Sequence, residues 1–311
     1  MKLFVIYAIV GFFLSSCQPT SVNHHQEALR EIEERDYLGA IIRLNTLLEQ
    51  EPLRDDIYAL RADCYVHIWK DSMAIIDLKR AIEINPGYDK AVLQLGRLEF
   101  NNGNDLEAQK LFVQAASSEN PRLSADAFIE LGRLNYFKKE YPKALSHFNT
   151  AIERDSANSM AWYYRGLLKS RFFDPQGRTD TINYPYLDLK QALSDFNRAI
   201  ACDTNLADAY FQKAMVLFNL FNDSEGMTEI NKAMAKAPEY VYYYIARAQQ
   251  HIGMKRFDAA LDDINYAINL NSAEPEVWFI RGYYHTAVGK LSSAKADSAQ
   301  GIKLQNKRRP D

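Results

Sequence analysis

An all-α solenoid of stacked helix pairs is the fold class that this sequence predicts, and three observations predict it. Small residues recur at a near-constant interval: Ala40, Ala74, Ala108, Ala144, Ala192, Gly226, Ala260 and Ala294, with gaps of 34, 34, 36, 48, 34, 34 and 34. Four residues after each comes Leu44, Leu78, Phe112, Phe148, Phe196, Ile230, Ile264 or Ser298, and seven after each comes Leu47, Ala81, Ala115, Ala151, Ala199, Ala233, Ala267 or Gly301. Spacings of 4 and 3 place such residues on one face of a helix. Twelve residues before the last seven markers, allowing for an insertion, stands a further small residue: Ala62, Gly96, Gly132, Gly166, Ala214, Ala248 or Gly282. Four before that comes Tyr58, Val92, Phe128, Trp162, Tyr210, Tyr244 or Trp278. Each period is therefore two amphipathic helices, A and B, whose small residues permit close approach while the large ones fill the neighbour's grooves.

In chain order, the first 16 residues are not part of this repeat. Lys2 precedes an apolar run from Leu3 to Leu14, too short to span a bilayer. Leu14-Ser15-Ser16-Cys17 then resembles the lipobox of bacterial lipoproteins, which implies a signal peptide over 1–16 and a lipid on Cys17. Gln18 stands where Asp would imply inner-membrane retention, and no acidic cluster follows. The resemblance thus implies an outer-membrane protein of the bacterial cell envelope, facing the periplasm. Residues 17–26 read as the lipidated cysteine and a polar tether. The helix pairs occupy 27–306, about eight in number. Pro52, Pro86 and Pro238 close three of them, where proline ends a helix cleanly.

The gap of 48 marks a loop insertion over about 172–187, between the helices of repeat five, with Pro175, Gly177 and Pro185. The smaller excess at 117–124 reads as a longer turn. Residues 307–311 form a basic tail. Cys64 and Cys202 fall where other repeats carry Leu, Ile or Val, and read as small buried residues. One covariation sets the register of helix A on helix B. Arg61, Arg165, Lys213, Arg247 and Arg281 accompany Asp77, Asp195, Glu229, Asp263 and Asp297, whereas repeat three changes both partners together, to Leu95 and Leu111. An ion pair between the two helices of a repeat follows.

The period and these residues resemble the tetratricopeptide repeat family across roughly 21–306. The resemblance implies a right-handed superhelix whose inner surface is lined by helix A and binds protein segments. Its ligand-facing positions (second, fifth, ninth, twelfth and thirteenth of helix A) fall on Lys90, Leu93, Arg97, Phe100 and Asn101 in repeat three. In repeat four they are Asp126, Ile129, Arg133, Tyr136 and Phe137; in repeat five Met160, Tyr163, Leu167, Ser170 and Arg171; in repeat six Asp208, Phe211, Met215, Phe218 and Asn219. Arg97, Phe100, Arg133, Tyr136, Phe137, Tyr163, Arg171, Phe211 and Phe218 give this face the composition of interface hot spots. No run of three repeats carries the Lys and Asn set with which chaperone adaptors of the family clamp a C-terminal carboxylate.

Composition narrows the function. The 311 residues hold 37 Lys+Arg against 40 Asp+Glu, without the basic excess of a nucleic-acid binder. The sequence has no phosphate-cradling glycine loop, no paired CxxC, no HExxH and no nucleophile motif, so no catalytic residue, cofactor or metal is expected. His24 and His25 read as part of the solvated tether. The expectation is a non-enzymatic, membrane-anchored scaffold for envelope proteins. The alternatives are a nutrient- or glycan-binding lipoprotein, or a subunit of an outer-membrane assembly or secretion machine. A small-molecule ligand is not expected, because the insertion is too short to build a sugar site.

Overall fold

The computed structural model describes residues 20–170 and 188–308. The proposed signal peptide, Cys17, Arg171 and the insertion at 172–187 lie outside the described residues. All sixteen described elements are α-helices, and the chain forms two compact units, Met1–Ser118 and Glu119–Asp311. The first holds repeats one to three: α1 (Thr20–Glu33), α2 (Tyr37–Gln50), α3 (Asp55–His67), α4 (Asp71–Ile84), α5 (Asp89–Asn101) and α6 (Asp105–Ala116). The second holds repeats four to eight: α7 (Pro121–Phe137), α8 (Tyr141–Arg154), α9 (Ser159–Ser170), α10 (Leu189–Cys202), α11 (Ala207–Asn219), α12 (Asp223–Lys236), α13 (Val241–Gly253), α14 (Phe257–Leu270), α15 (Pro275–Ala287) and α16 (Leu291–Arg308). Odd-numbered helices are helix A and even-numbered ones helix B. In repeat five the amide of Asp188 donates to the carbonyl of Lys169 at 3.2 Å, so the chain on either side of the insertion is joined.

The phase of the small residues sets the packing within each pair. The small residue of helix A lies against the large residue four after the helix B marker, and the two sizes compensate. Gly96, Gly132 and Gly166 face the rings of Phe112, Phe148 and Phe196 so closely that a Cβ would fall 2.7, 2.3 and 2.9 Å from a ring carbon. Where the partner is Leu78, Ile230 or Ile264, the residue is alanine: Ala62, Ala214 or Ala248. Interiors packed to crystal density require this kind of volume exchange.

The expected ion pairs form in all five repeats. Arg61–Asp77, Arg165–Asp195, Arg247–Asp263 and Arg281–Asp297 approach to 2.6 Å, and Lys213–Glu229 to 3.1 Å. The carboxylates are buried. Leu95 and Leu111 are both buried in their place in repeat three. Three of the arginines also donate to an asparagine of the preceding helix B: Arg61 to Asn45, Arg165 to Asn149 and Arg247 to Asn231, at 2.6, 2.9 and 2.6 Å. Each guanidinium therefore spans three helices, a geometry that suits its rigid fork.

Helix A ends the same way in seven repeats. A residue with left-handed backbone follows it, at Arg35, Trp69, Gly103, Lys139, Phe221, Lys255 and Gly289. The next amide then reaches back five residues, the long bond of a Schellman cap, as from Lys70 to the carbonyl of Tyr65 at 2.9 Å and from Asn222 to that of Leu217 at 2.9 Å.

Four expectations are corrected. Helix α1 begins at Thr20, so the described part of the stretch read as a tether is helical. Ala28 is buried, and Arg43 of α2 reaches Glu27 and Glu31 at 3.3 and 3.4 Å, which holds the helix along its length. The excess at 117–124 is a turn only as far as Asn120 and helix from Pro121: Asn120 caps α7, accepting from the amides of Arg122 and Leu123, and Pro121 opens it. Helix α16 continues through Lys307 to Arg308, whose guanidinium pairs with Glu274 at 2.8 Å, so the start of the basic tail is structured. Cys64 is buried as expected, its thiol pushed up to about 11 by burial, but Cys202 is exposed at the end of α10.

Candidate protein-binding clefts

Three clefts are lined mainly by helix A residues. In the first unit, a cleft of about 230 Å³ between α3 and α5 is lined by Asp63, Val66, Gln94, Arg97 and Asn101, with Leu98 and Leu78 beneath. Gln94 donates to Asp63, and burial pushes the Asp63 carboxyl above its ordinary range. Phe100 packs edge-on against Phe112, with ring centroids 6.5 Å apart.

In the second unit, the residues expected from repeat four converge. Arg133, Tyr136 and Phe137 of α7 line a cleft of about 180 Å³ with Phe148 of α8 and Tyr164 and Leu167 of α9. Arg133 bonds Glu130 at 2.6 Å and lies 5.4 Å over the Tyr164 ring. Tyr136 stands edge-on to Phe137 and Tyr141, at 5.9 Å from each. Phe137 is 64% exposed.

Farther along the same unit, α13 and α15 border an open cleft of about 300 Å³ lined by Ile245, Gln249, Glu276, Phe279, Ile280 and Tyr283. Glu276 lies against Glu274, whose hydrogen bond, with burial, raises the Glu276 carboxyl above its ordinary range. One of its oxygens is shut away from water and accepts no hydrogen bond. The Arg308 guanidinium, by contrast, holds Glu274 down at about 2.

Four expected groove residues belong to the core instead, among them Leu93 and Ile129, 3% and 4% exposed. Tyr163 is 9% exposed and packs on Tyr164 and Phe196. Phe218 is 6% exposed, its ring seated over Gly226, where a Cβ would fall 2.6 Å from it. Phe211 is half-buried against Tyr243, whose hydroxyl donates to Asp208 at 2.6 Å. Burial and Asp208 raise the Tyr243 hydroxyl well above the tyrosine range. The α13/α15 cleft was missed because the positional rule was carried only to repeat six. In repeats seven and eight its second, fifth and ninth positions include Ile245, Gln249, Glu276, Phe279 and Tyr283. Among the described residues no group of three or more His, Cys, Asp or Glu is placed to hold a metal ion.

A tetratricopeptide repeat family model matches residues 93–159. The chain is 27% identical over 149 residues to the human Protein SGT1 homolog, covering 47% of this chain and 40% of that protein. It is 23% identical over 173 residues to the DnaJ homolog subfamily C member 7 homolog of Schizosaccharomyces pombe, covering 55% of this chain and 36% of that protein. The chain thus spans less than half the length of these two relatives. A tetratricopeptide repeat protein from Parabacteroides merdae superposes with a TM-score of 0.57 at 19% identity, over 80% of this chain and 93% of that one. The period, the small–large packing and these likenesses agree that the chain carries tetratricopeptide repeats and that its fold is an all-α solenoid of that type.

Proposed function

We propose that the protein is a non-catalytic scaffold that binds segments of protein partners on its helix A faces, and that a lipid on Cys17 holds it at the outer membrane, facing the periplasm. One observation carries the binding role: three clefts open on helix A faces, each combining apolar or aromatic walls with an Arg or Glu. Aromatic side chains supply large buried area, and Arg supplies forked donors for carboxylates or carbonyls. The anchoring rests on Leu14-Ser15-Ser16-Cys17 after a short apolar run.

Partner capture from crosslinked envelopes tests the binding role. Arg133→Ala with Tyr136→Ala should weaken capture of the main partner about thirtyfold, the cost of a true hot spot, while circular dichroism stays as in the wild type. Lys295→Ala with Lys303→Ala, two exposed positions on α16, should leave capture intact. Undiminished capture by the cleft variant would overturn the assignment. Labelling with a palmitate analogue tests the anchor: wild type takes the label and Cys17→Ser does not.

A further inference from the structure

The turn that ends each helix A favours glycine, because its backbone is left-handed. Glycine occupies it at Gly103 and Gly289, and the soluble residues Arg35, Lys139 and Lys255 occupy it elsewhere. Phe221 satisfies neither requirement. It holds φ at 58° and is 91% exposed, next to the exposed Leu220. A bulky side chain in this backbone region is an outlier, and here its ring is also left exposed.

The charge of the turns is sorted by edge, although the first turn of α12, next to Phe221, carries Asp223 and Glu225. Antiparallel pairing puts the described A–B turns of the second unit at one edge and its B–A turns at the other. The described A–B turns, 138–140, 220–222, 254–256 and 288–290, carry Lys138, Lys139, Lys255, Arg256 and Lys290 against the single acid Glu140. The B–A turns, 155–158, 203–206, 237–240 and 271–274, carry Asp155, Asp203, Glu239 and Glu274 and no base. Leu291, opening α16 beside Lys290, is exposed. The first unit repeats the motif on its own: Trp69 holds φ at 58°, is 90% exposed and precedes Lys70.

We propose that the A–B edge of the second unit docks on an anionic lipid surface. Phe221, Leu220 and Leu291 enter the headgroup layer, and Lys139, Lys255, Arg256 and Lys290 pair with lipid phosphates. Two features favour a bilayer over a protein. Lysine is depleted at protein interfaces, whereas each Lys or Arg near an anionic bilayer strengthens partitioning about fivefold. Aromatic anchors at protein interfaces fill pockets in well-packed centres, whereas Phe221 stands on a protruding turn tip, and a headgroup layer takes amphipathic and aromatic side chains without a preformed pocket. This surface is distinct from the clefts proposed to bind protein.

Sedimentation of the full chain with vesicles tests the proposal, comparing phosphatidylcholine alone with phosphatidylcholine containing phosphatidylglycerol. The N-terminal apolar segment is common to all variants, so differences between variants report the edge. Wild type should prefer the anionic vesicles. Lys139→Glu with Lys255→Glu and Lys290→Glu should reduce binding to them about a hundredfold and leave binding to the neutral vesicles unchanged. Phe221→Gly should reduce anionic binding severalfold while the melting temperature holds or rises, because glycine suits the turn; that separates lost docking from lost folding. Phe221→Trp should add emission that is quenched by lipids brominated near the headgroup. Arg133→Ala with Tyr136→Ala should bind vesicles as wild type does, so failure of the cleft assignment leaves this one standing. Wild-type vesicle binding by the charge-reversed variant would overturn the proposal. So would an edge variant that keeps vesicle binding but loses a protein partner, which would make the edge a protein-docking surface.

Discussion

Cutting the ion pair of repeat seven tests how helix A is keyed to helix B. Arg247 donates to both oxygens of Asp263, at 2.9 and 2.6 Å, and to Asn231 at 2.6 Å. The Asp263 side chain is 6% exposed and that of Arg247 25%. The two substitutions are therefore unequal. Arg247→Ala strands a buried carboxylate beside the His251 imidazole, 3.9 Å away, whose protonation burial disfavours. Hydrogen bonds to charged groups contribute about 1.5–3 kcal/mol, and breaking a fully buried pair costs about 3–5. A loss of about 2–4 kcal/mol is expected for this partly solvated pair. Asp263→Ala should cost less, about 1–2 kcal/mol, because the guanidinium keeps Asn231 and can turn toward water. The double-mutant cycle should show favourable coupling of about 1–3 kcal/mol. A control cycle with Asp262, exposed and one residue out of register, should give below about 0.5 kcal/mol. Urea unfolding followed by circular dichroism supplies the free energies, and a changed slope would reveal lost cooperativity between repeats. Equal coupling in the two cycles would refute the register, whatever its size.

Three further outcomes follow from the same packing. Gly132→Ala puts a Cβ 2.3 Å from the Phe148 ring and should cost about 1–3 kcal/mol by overpacking. Gly132→Ala with Phe148→Ile, which copies Ala248 with Ile264, should recover most of that in thermal unfolding; a neutral single substitution would contradict the volume exchange. Burial, with Lys143 adding to it, holds the His147 ring below the ordinary value of 6.5. The unfolded chain therefore takes up its proton first, and stability present above pH 6.5 falls as the pH drops toward the folded value. His147→Leu, which reproduces the Leu95–Leu111 pairing beside Leu131, should flatten that fall, leaving the part that belongs to His251, which is shifted the same way by burial; an unchanged pH profile would count against it. Arg308→Ala should let the Glu274 carboxyl rise from about 2 toward its ordinary 4.5 and speed amide exchange in the last turn of α16; carboxyl titration and exchange by NMR would detect both, and an unmoved Glu274 would show that the bridge does not form in solution.

Residue identities alone carried the helix phase and the five ion pairs, because each depends on spacing along a helix and on partners that change together. The burial of Phe218 depends on the size of its neighbour. Helix A residues at the fifth and twelfth positions sit where a ring can turn outward or drop between helices, and the turn inward needs space. At Phe218 the space comes from Gly226, the one glycine among the eight markers, and that substitution was the available signal. Tyr163 gave no comparable sign. Its burial against Phe196 follows from packing with α10, which resumes only after the insertion. The asparagines that complete the Arg clusters were visible as Asn45, Asn149 and Asn231, sixteen residues before each arginine, but linking them required knowing that one guanidinium touches three helices.

Those clusters also separate charges that hold the fold from charges available to a partner. Asp77, Asp195, Asp263 and Asp297 each accept on both oxygens from an arginine of their own repeat. Where repeat three dispenses with the pair, two leucines fill the same place, so the ionic version serves register and not the presence of charge. Glu276 follows a different logic. It is half-buried at the second position of its helix, pressed against Glu274, with one oxygen shut away from water and accepting no bond. A buried acceptor left unfilled costs more than a filled one returns, and α15 would lose no described salt bridge without it. Within the cleft that it shares with Gln249, Phe279 and Tyr283, Glu276 therefore meets one polar side chain of the solenoid, the Glu274 carboxyl, which raises its own carboxyl above the ordinary range.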